Sequence, residues 1–127
     1  MSRRVRIGLV QSVCTPSRDH NIGQALAGIA EAALGGAEVV CLQELFAGEY
    51  PCQAEDHGKF EVAESVPGPL TELLAAAARQ HGVVLVGSVF ERRTAGLFHN
   101  TAVVFDTDGS CGSGATTTKA PAPVSRR

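Results

Sequence analysis

The chain has 127 residues, 44% hydrophobic and 19% charged, which suits one small packed domain and excludes a compositionally disordered chain. Aromatic residues make up 5%, tryptophan is absent and the net charge is −2, a balance that argues against a nucleic-acid stacking platform or a phosphate-tracking surface. No apolar run approaches the ~20 residues of a membrane span, and the run after the basic start ends at Gln11, too short for a signal-peptide core. A cytoplasmic chain is the expectation.

Residues 5–13 are β-branched and mostly apolar and read as a buried strand. Thr15 to Asp19 break it and offer cap residues. From there Ile22, Leu26, Ile29 and Ala33 follow helical spacing, and Gly35-Gly36 ends that helix with residues that accept left-handed backbone. Glu38 to Leu42 form a second short strand, closed by Gln43-Glu44. Residues 45–66 are irregular and polar. Pro67-Gly68-Pro69 opens a second helix, whose Leu70, Leu73, Leu74, Ala77, Ala78 and His81 keep the spacing until Gly82. Val83 to Phe90 is a third strand, Glu91 to Gly96 a polar connection, and Asn100 to Phe105 a fourth strand. Asp106 to Gly109 is a turn by composition. The order is βαβαββ, an α/β class with parallel pairing of the first three strands and a terminal hairpin.

Residues 1–109 hold all 13 acids and 8 of the 11 bases, whereas 110–127 hold no acid, one valine and no Leu, Ile or Phe. That tail cannot bury a core and is expected to be disordered. The chain is therefore divided into a body, 1–109, and a low-complexity tail, 110–127.

The four cysteines, at 14, 41, 52 and 111, lack CxxC spacing and are read as free thiols. Cys41 reads as core packing, and Cys14 and Cys111 lack supporting neighbours in sequence. His20, His57, His81 and His99 show no metal spacing. Asp106-x-Asp108-Gly109 begins like a calcium loop but lacks the later ligands, so it reads as a β-turn. No metal or cofactor is expected. Arg3, Arg4 and Arg6 read as a solvated strand end.

Glu44 is the most informative residue. It stands just past the carboxyl end of a buried parallel strand, where open α/β folds place their ligand sites. Flanked by Leu42, Leu45 and Phe46, its carboxylate is expected to be poorly hydrated, an environment suited to a general base.

The stretch Val39-Val40-Cys41-Leu42-Gln43-Glu44-Leu45-Phe46, followed by Tyr50-Pro51-Cys52-Gln53, resembles the first catalytic motif of the nitrilase superfamily, carbon–nitrogen hydrolases with a Glu–Lys–Cys triad. Val5 to Gln11, Pro67-Gly68-Pro69, His99 to Asp106 and Asp108-Gly109 resemble that family's first strand, second-helix entry, fourth strand and turn in the same order. The Glu-Leu-Phe and Tyr-Pro-Cys-Gln pairing is most like the N-carbamoylputrescine amidase branch, which acts in polyamine metabolism. The resemblance covers residues 4 to about 110. It implies the N-terminal half of an αββα sandwich, with Glu44 as general base, Tyr50 and Cys52 in the substrate pocket, and a small amide or carbamoyl amine as substrate. In the family the Glu takes the thiol proton, the thiolate attacks the amide or carbamoyl carbon, and the Lys stabilises the oxyanion.

The match stops at Ser110, where the family continues into a Tyr-Arg-Lys-x-His segment and later a nucleophilic Cys. Lys119 lies close to the expected distance from Glu44, but Thr118-Lys119-Ala120-Pro121 matches nothing in that motif. The composition of the tail reads as out-of-frame translation or a truncated gene, so the expectation is an inactive fragment that self-associates through an uncovered sheet face. Two alternatives stand beside it. One is activity through Cys52 or through a complementing polypeptide. The other is a non-enzymatic flavodoxin-like binding module, disfavoured because Gln11 to Pro16 contains no glycine-rich phosphate loop.

Overall fold

The computed structural model describes residues 2–48, 63–111 and 117–119. In chain order these form β1 (Ile7–Val10), α1 (Arg18–Leu34), β2 (Val39–Leu42), α2 (Pro69–His81), β3 (Val84–Thr94), β4 (Leu97–Phe105) and β5 (Thr117–Lys119). The expected βαβαββ order is present.

Cap chemistry rather than hydrophobic spacing sets where the helices begin. α1 starts four residues before Ile22, because the Ser17 hydroxyl accepts the His20 N–H at 3.3 Å and admits a polar first turn. After the helix the chain reverses at Gly36, with φ +89°. α2 begins with Pro69, where the missing N–H costs nothing. The Gly68 N–H donates to the Thr71 hydroxyl oxygen at 2.7 Å, and that hydroxyl donates back to the Gly68 carbonyl at 2.8 Å. Gly82 closes the helix in the left-handed region, φ +61°.

The sheet order is β1-β2-β3-β4-β5, parallel across β1, β2 and β3 and antiparallel from β3 to β5. With β1 at the edge, this is not the flavodoxin-like order, in which the first strand lies inside the sheet, so the flavodoxin-like shape of the binding-module alternative is not found. The hairpin is longer than expected. Glu91 to Thr94 continue β3 rather than forming a loop, because cross-strand pairing from Leu85↔Phe105 to Thr94↔Leu97 satisfies the backbone whatever the side chains. Glu91 is consequently buried, its carboxylate accepting from Thr101 Oγ1 at 3.1 Å and from Arg93 at 3.0 and 3.2 Å. That hydrogen bond, and then the Glu91 charge, raise the Arg93 pKa above its ordinary value.

Within the stretch from residue 110, expected to be without structure, Thr117–Lys119 pair with His99–Thr101 of β4. The outer edge of β4 offers backbone groups for this segment's backbone to pair with. The turn expected at Asp106–Gly109 is formed. The Gly109 N–H donates to the Asp106 carbonyl at 2.9 Å, and the Asp108 carboxylate accepts from the Ser110 hydroxyl at 2.6 Å and from its N–H at 2.8 Å.

Both helices pack on one face of the sheet. Ala25 and Ile29 of α1 and Leu70, Leu74, Ala77 and Ala78 of α2 close over Val40, Leu85, Val89, Val103 and Phe105. The opposite face carries the alternate residues of the same strands. There Ile7 and Leu9 are 59% and 79% exposed, and Val39, Val84, Val86, Ala102 and Val104 are half-buried. Cys41 also belongs to that face and is half-buried. It is not the core residue the sequence suggests, because its neighbours Val40 and Leu42 take the helix side. The expected solvated strand end is in part tied down: Arg3 pairs with Glu38, and Arg6 donates to the Gly35 carbonyl at 2.9 Å.

Candidate active site

At the carboxyl ends of β1, β2 and β3 the chain after β2 makes an abrupt turn. Leu45 has φ +48°, a backbone region that non-glycine residues seldom occupy. The turn drives Leu45 and Phe46 into the interior, 7% and 2% exposed, and leaves the Glu44 side chain outside. The sequence suggests a poorly hydrated Glu44 between apolar neighbours. In the structure those neighbours point away from it, and Glu44 is exposed.

A ring of hydrogen bonds holds this turn to β3 and β4. Asn100 Nδ2 donates to Glu44 Oε1. The Ser88 hydroxyl donates to Asn100 Oδ1 at 3.1 Å and accepts the Leu45 N–H at 2.8 Å. Ser88 and Asn100 alternate with Gly87 and Thr101, which face the helices, so both lie on the open side of the sheet.

A second set of bonds ties the turn to the loop after β1. Gln43 Oε1 accepts the Ser12 N–H at 2.8 Å, and Gln43 Nε2 donates to Cys14 Sγ at 2.9 Å. The Cys14 thiol donates to the Phe46 carbonyl at 3.4 Å, which gives this cysteine the neighbours its sequence context lacks. Asn21, 2% exposed in the first turn of α1, accepts from the Thr15 N–H at 2.8 Å and from its hydroxyl at 3.0 Å. Its Nδ2 donates to the carbonyls of Thr15 at 2.7 Å and Ala47 at 3.1 Å. Residues 43–47 are thereby fixed from both sides.

Of the site residues drawn from the sequence, Glu44 stands at the expected strand end, while Tyr50 and Cys52 lie outside the described residues. Lys119 falls in β5 opposite His99, one position from the Asn100↔Thr118 pair. Sequence reasoning misses Ser88, Asn100, Gln43 and Asn21. A signal for the first two is present, since Ser88 interrupts the apolar run 83–90 and Asn100 stands at the head of the run that ends at Phe105. Among the described residues no three His, Cys, Asp or Glu side chains are grouped as metal ligands, and no helix is long and apolar enough to cross a membrane.

A mixed sheet covered by helices on one face, with a carboxylate fixed at the end of its second parallel strand, is the frame of the N-terminal part of a nitrilase-type αββα sandwich. The chain belongs to the carbon–nitrogen hydrolase family, whose model matches residues 6–120. Omega-amidase NIT2-B of Xenopus laevis is 36% identical over 107 residues, covering 84% of this chain and 37% of that protein. N-carbamoylputrescine amidase of Solanum lycopersicum is 32% identical over 110 residues, covering 86% and 36%. A carbon–nitrogen hydrolase from Helicobacter pylori G27 superposes with a TM-score of 0.81 at 34% identity, over 90% of this chain and 39% of that one. An amidase from Nesterenkonia sp. AN1, solved with acrylamide, shares the fold with a TM-score of 0.74 at 23% identity, over 94% and 45%. The chain spans little more than a third of the length of the curated relatives it matches.

Proposed function

We propose that residues 1–109 supply the general-base half of an amidase that hydrolyses a small amide or carbamoyl C–N bond. Glu44 is the base, and Tyr50 and Cys52 line the substrate pocket. The observation that carries this reading is the Glu44 carboxylate, turned out of the core at the end of β2 and held there by Asn100. In the reaction Glu44 accepts the proton of a cysteine thiol. The thiolate adds to the carbonyl carbon, the protonated Glu44 gives that proton to the leaving amine or ammonia, and water, deprotonated by Glu44, hydrolyses the thioester-type intermediate and restores the thiol. The nucleophile-bearing half completes the site, whether on the same polypeptide or on another.

Two substrate classes follow from the relatives. The Glu-Leu-Phe and Tyr-Pro-Cys-Gln pairing and the tomato protein support N-carbamoylputrescine, while the frog protein supports ω-amides. The ratio of kcat/KM for the two substrates decides between them.

The test combines the 127-residue chain with the part of the Helicobacter pylori hydrolase that follows the matched region. The combination is expected to hydrolyse one of the two substrates, and Glu44→Gln is expected to lower kcat by about 10²- to 10⁴-fold. The chain alone is expected to be inactive. Turnover by the chain alone that disappears in both Glu44→Ala and Cys52→Ala identifies Cys52 as nucleophile instead.

A further inference from the structure

We infer that Ser88 and Asn100 are positioning residues for Glu44, and that together with the left-handed turn at Leu45 they set the direction in which its carboxylate faces. This rests on the reading of Glu44 as the base.

The argument begins with donors and acceptors. A serine hydroxyl has one hydrogen to give, and an asparagine amide has a donating and an accepting end. Ser88 Oγ accepts the Leu45 N–H at 2.8 Å, so its own hydrogen is available to Asn100 Oδ1 at 3.1 Å. That bond fixes which end of the Asn100 amide is oxygen, and the NH2 end is left facing Glu44 Oε1. The four residues therefore form a closed circuit with one consistent sense. It runs from the Leu45 N–H to Ser88, from Ser88 to Asn100, from Asn100 to the Glu44 carboxylate, and back to Leu45 through the peptide bond. Hydrogen bonds in such a chain polarise one another in the same direction.

The backbone supplies an independent observation. Leu45 at φ +48° is strained for a residue with a Cβ, and strain of this kind persists only where its surroundings enforce it. Here the Leu45 N–H meets Ser88 while the Leu45 side chain is pulled into the core, so the turn is held from both sides. Sheet glue alone does not account for the composition. Asn is depleted in strands, and Ser88 and Asn100 are diagonal neighbours across the β3–β4 pair on the face where the strands otherwise present Val86, Ala102 and Val104.

The test is carboxyl labelling of the 127-residue chain with a water-soluble carbodiimide and glycine ethyl ester, read by peptide mass spectrometry, with exposed Glu31 and Glu72 as internal references. Asn100→Ala and Ser88→Ala are each expected to raise Glu44 labelling roughly three-fold or more relative to the references, and Ser88→Thr to restore it. Unchanged Glu44 labelling overturns the inference. An equal rise at all three carboxylates also overturns it, since it shows loss of the fold rather than release of Glu44. In the completed amidase, Asn100→Ala is expected to lower kcat with little change in KM. If Glu44→Gln leaves turnover intact, the base assignment fails while the labelling result stands. If Glu44→Gln abolishes turnover and Asn100→Ala alters neither labelling nor kcat, only the positioning inference fails.

Discussion

The two faces of the sheet are built from the same strands and a similar stock of apolar residues, yet they end in opposite environments. On the helix side Val40, Leu85, Val89, Val103 and Phe105 are at most 1% exposed. On the other side Ile7 and Leu9 remain largely open, and Val13 at the exit of β1 is 82% exposed. A strand with apolar residues on both faces requires two covers. The described helices supply one. The contrast also locates the chemistry, because the polar residues that interrupt the open face, Ser88 and Asn100, gather at Glu44.

The sharpest way to break this contrast is to truncate equivalent side chains on the two sides. Leu85→Ala is expected to cost about 2–5 kcal/mol in urea unfolding, whereas Leu9→Ala stays within roughly 0.5 kcal/mol. Equal losses mean that the open face is covered in solution. Next in size, Asn21→Ala is expected to cost about 1–3 kcal/mol, because the groups of Thr15 and Ala47 that it satisfies lose their partner. Leu9→Lys is expected to leave the unfolding midpoint almost unchanged while reducing hydrophobic-dye binding and shifting gel-filtration elution toward monomer. An unaltered elution profile shows that association, if present, uses another surface.

The smallest effect concerns pH. Hydrogen bonds from the Ser110 hydroxyl and then from its backbone N–H hold the Asp108 pKa below its ordinary value. A carboxyl with a lowered folded-state pKa adds stability above its unfolded pKa and loses it as pH falls through the folded value. Acid titration of unfolding should therefore show a small loss at the low-pH end that is absent in Asp108→Asn.

Most of the frame was legible because it depends on local chemistry. The apolar spacing of Ile22, Leu26 and Ile29, the glycines at 36 and 82 and the Pro-Gly-Pro entry mark the helices. The runs at Val39 and Val83 mark buried strands. What was not legible is whatever depends on partners distant in sequence. Glu91 looks like a loop residue until Thr101 and Arg93 are beside it. Cys14 looks isolated until Gln43, 29 positions away, reaches it. The hydration of Glu44 is not legible in its apolar neighbours, because Leu45 and Phe46 point into the core while Glu44 points out. A single positive φ at Leu45 separates them, and no side-chain pattern announces it. The circuit through Ser88 spans 43 positions to Leu45 and 12 to Asn100, and the parallel register of β2 and β3 together with the antiparallel register of β3 and β4 closes it.

The close seating of α1 on β1 makes the helix part of what holds the Glu44 turn. A methyl group at Gly28 would fall 2.4 Å from Val10 Cγ1, and one at Gly8 would fall 2.7 Å from Ala32 Cβ, so the helix rests on β1 with no clearance. The same helix holds Ala47 through Asn21 at its leading end. It works as a beam clamped at mid-span, with the Glu44 turn hanging from its tip. Gly28→Ala, seven residues along the helix from Asn21 and facing β1, is expected to push the helix off Val10 and loosen the hold of Asn21 on Ala47 without touching the turn. The absence of side chains at two glycines thus sets how closely α1 sits on β1, beside the strand end from which the Glu44 turn leaves.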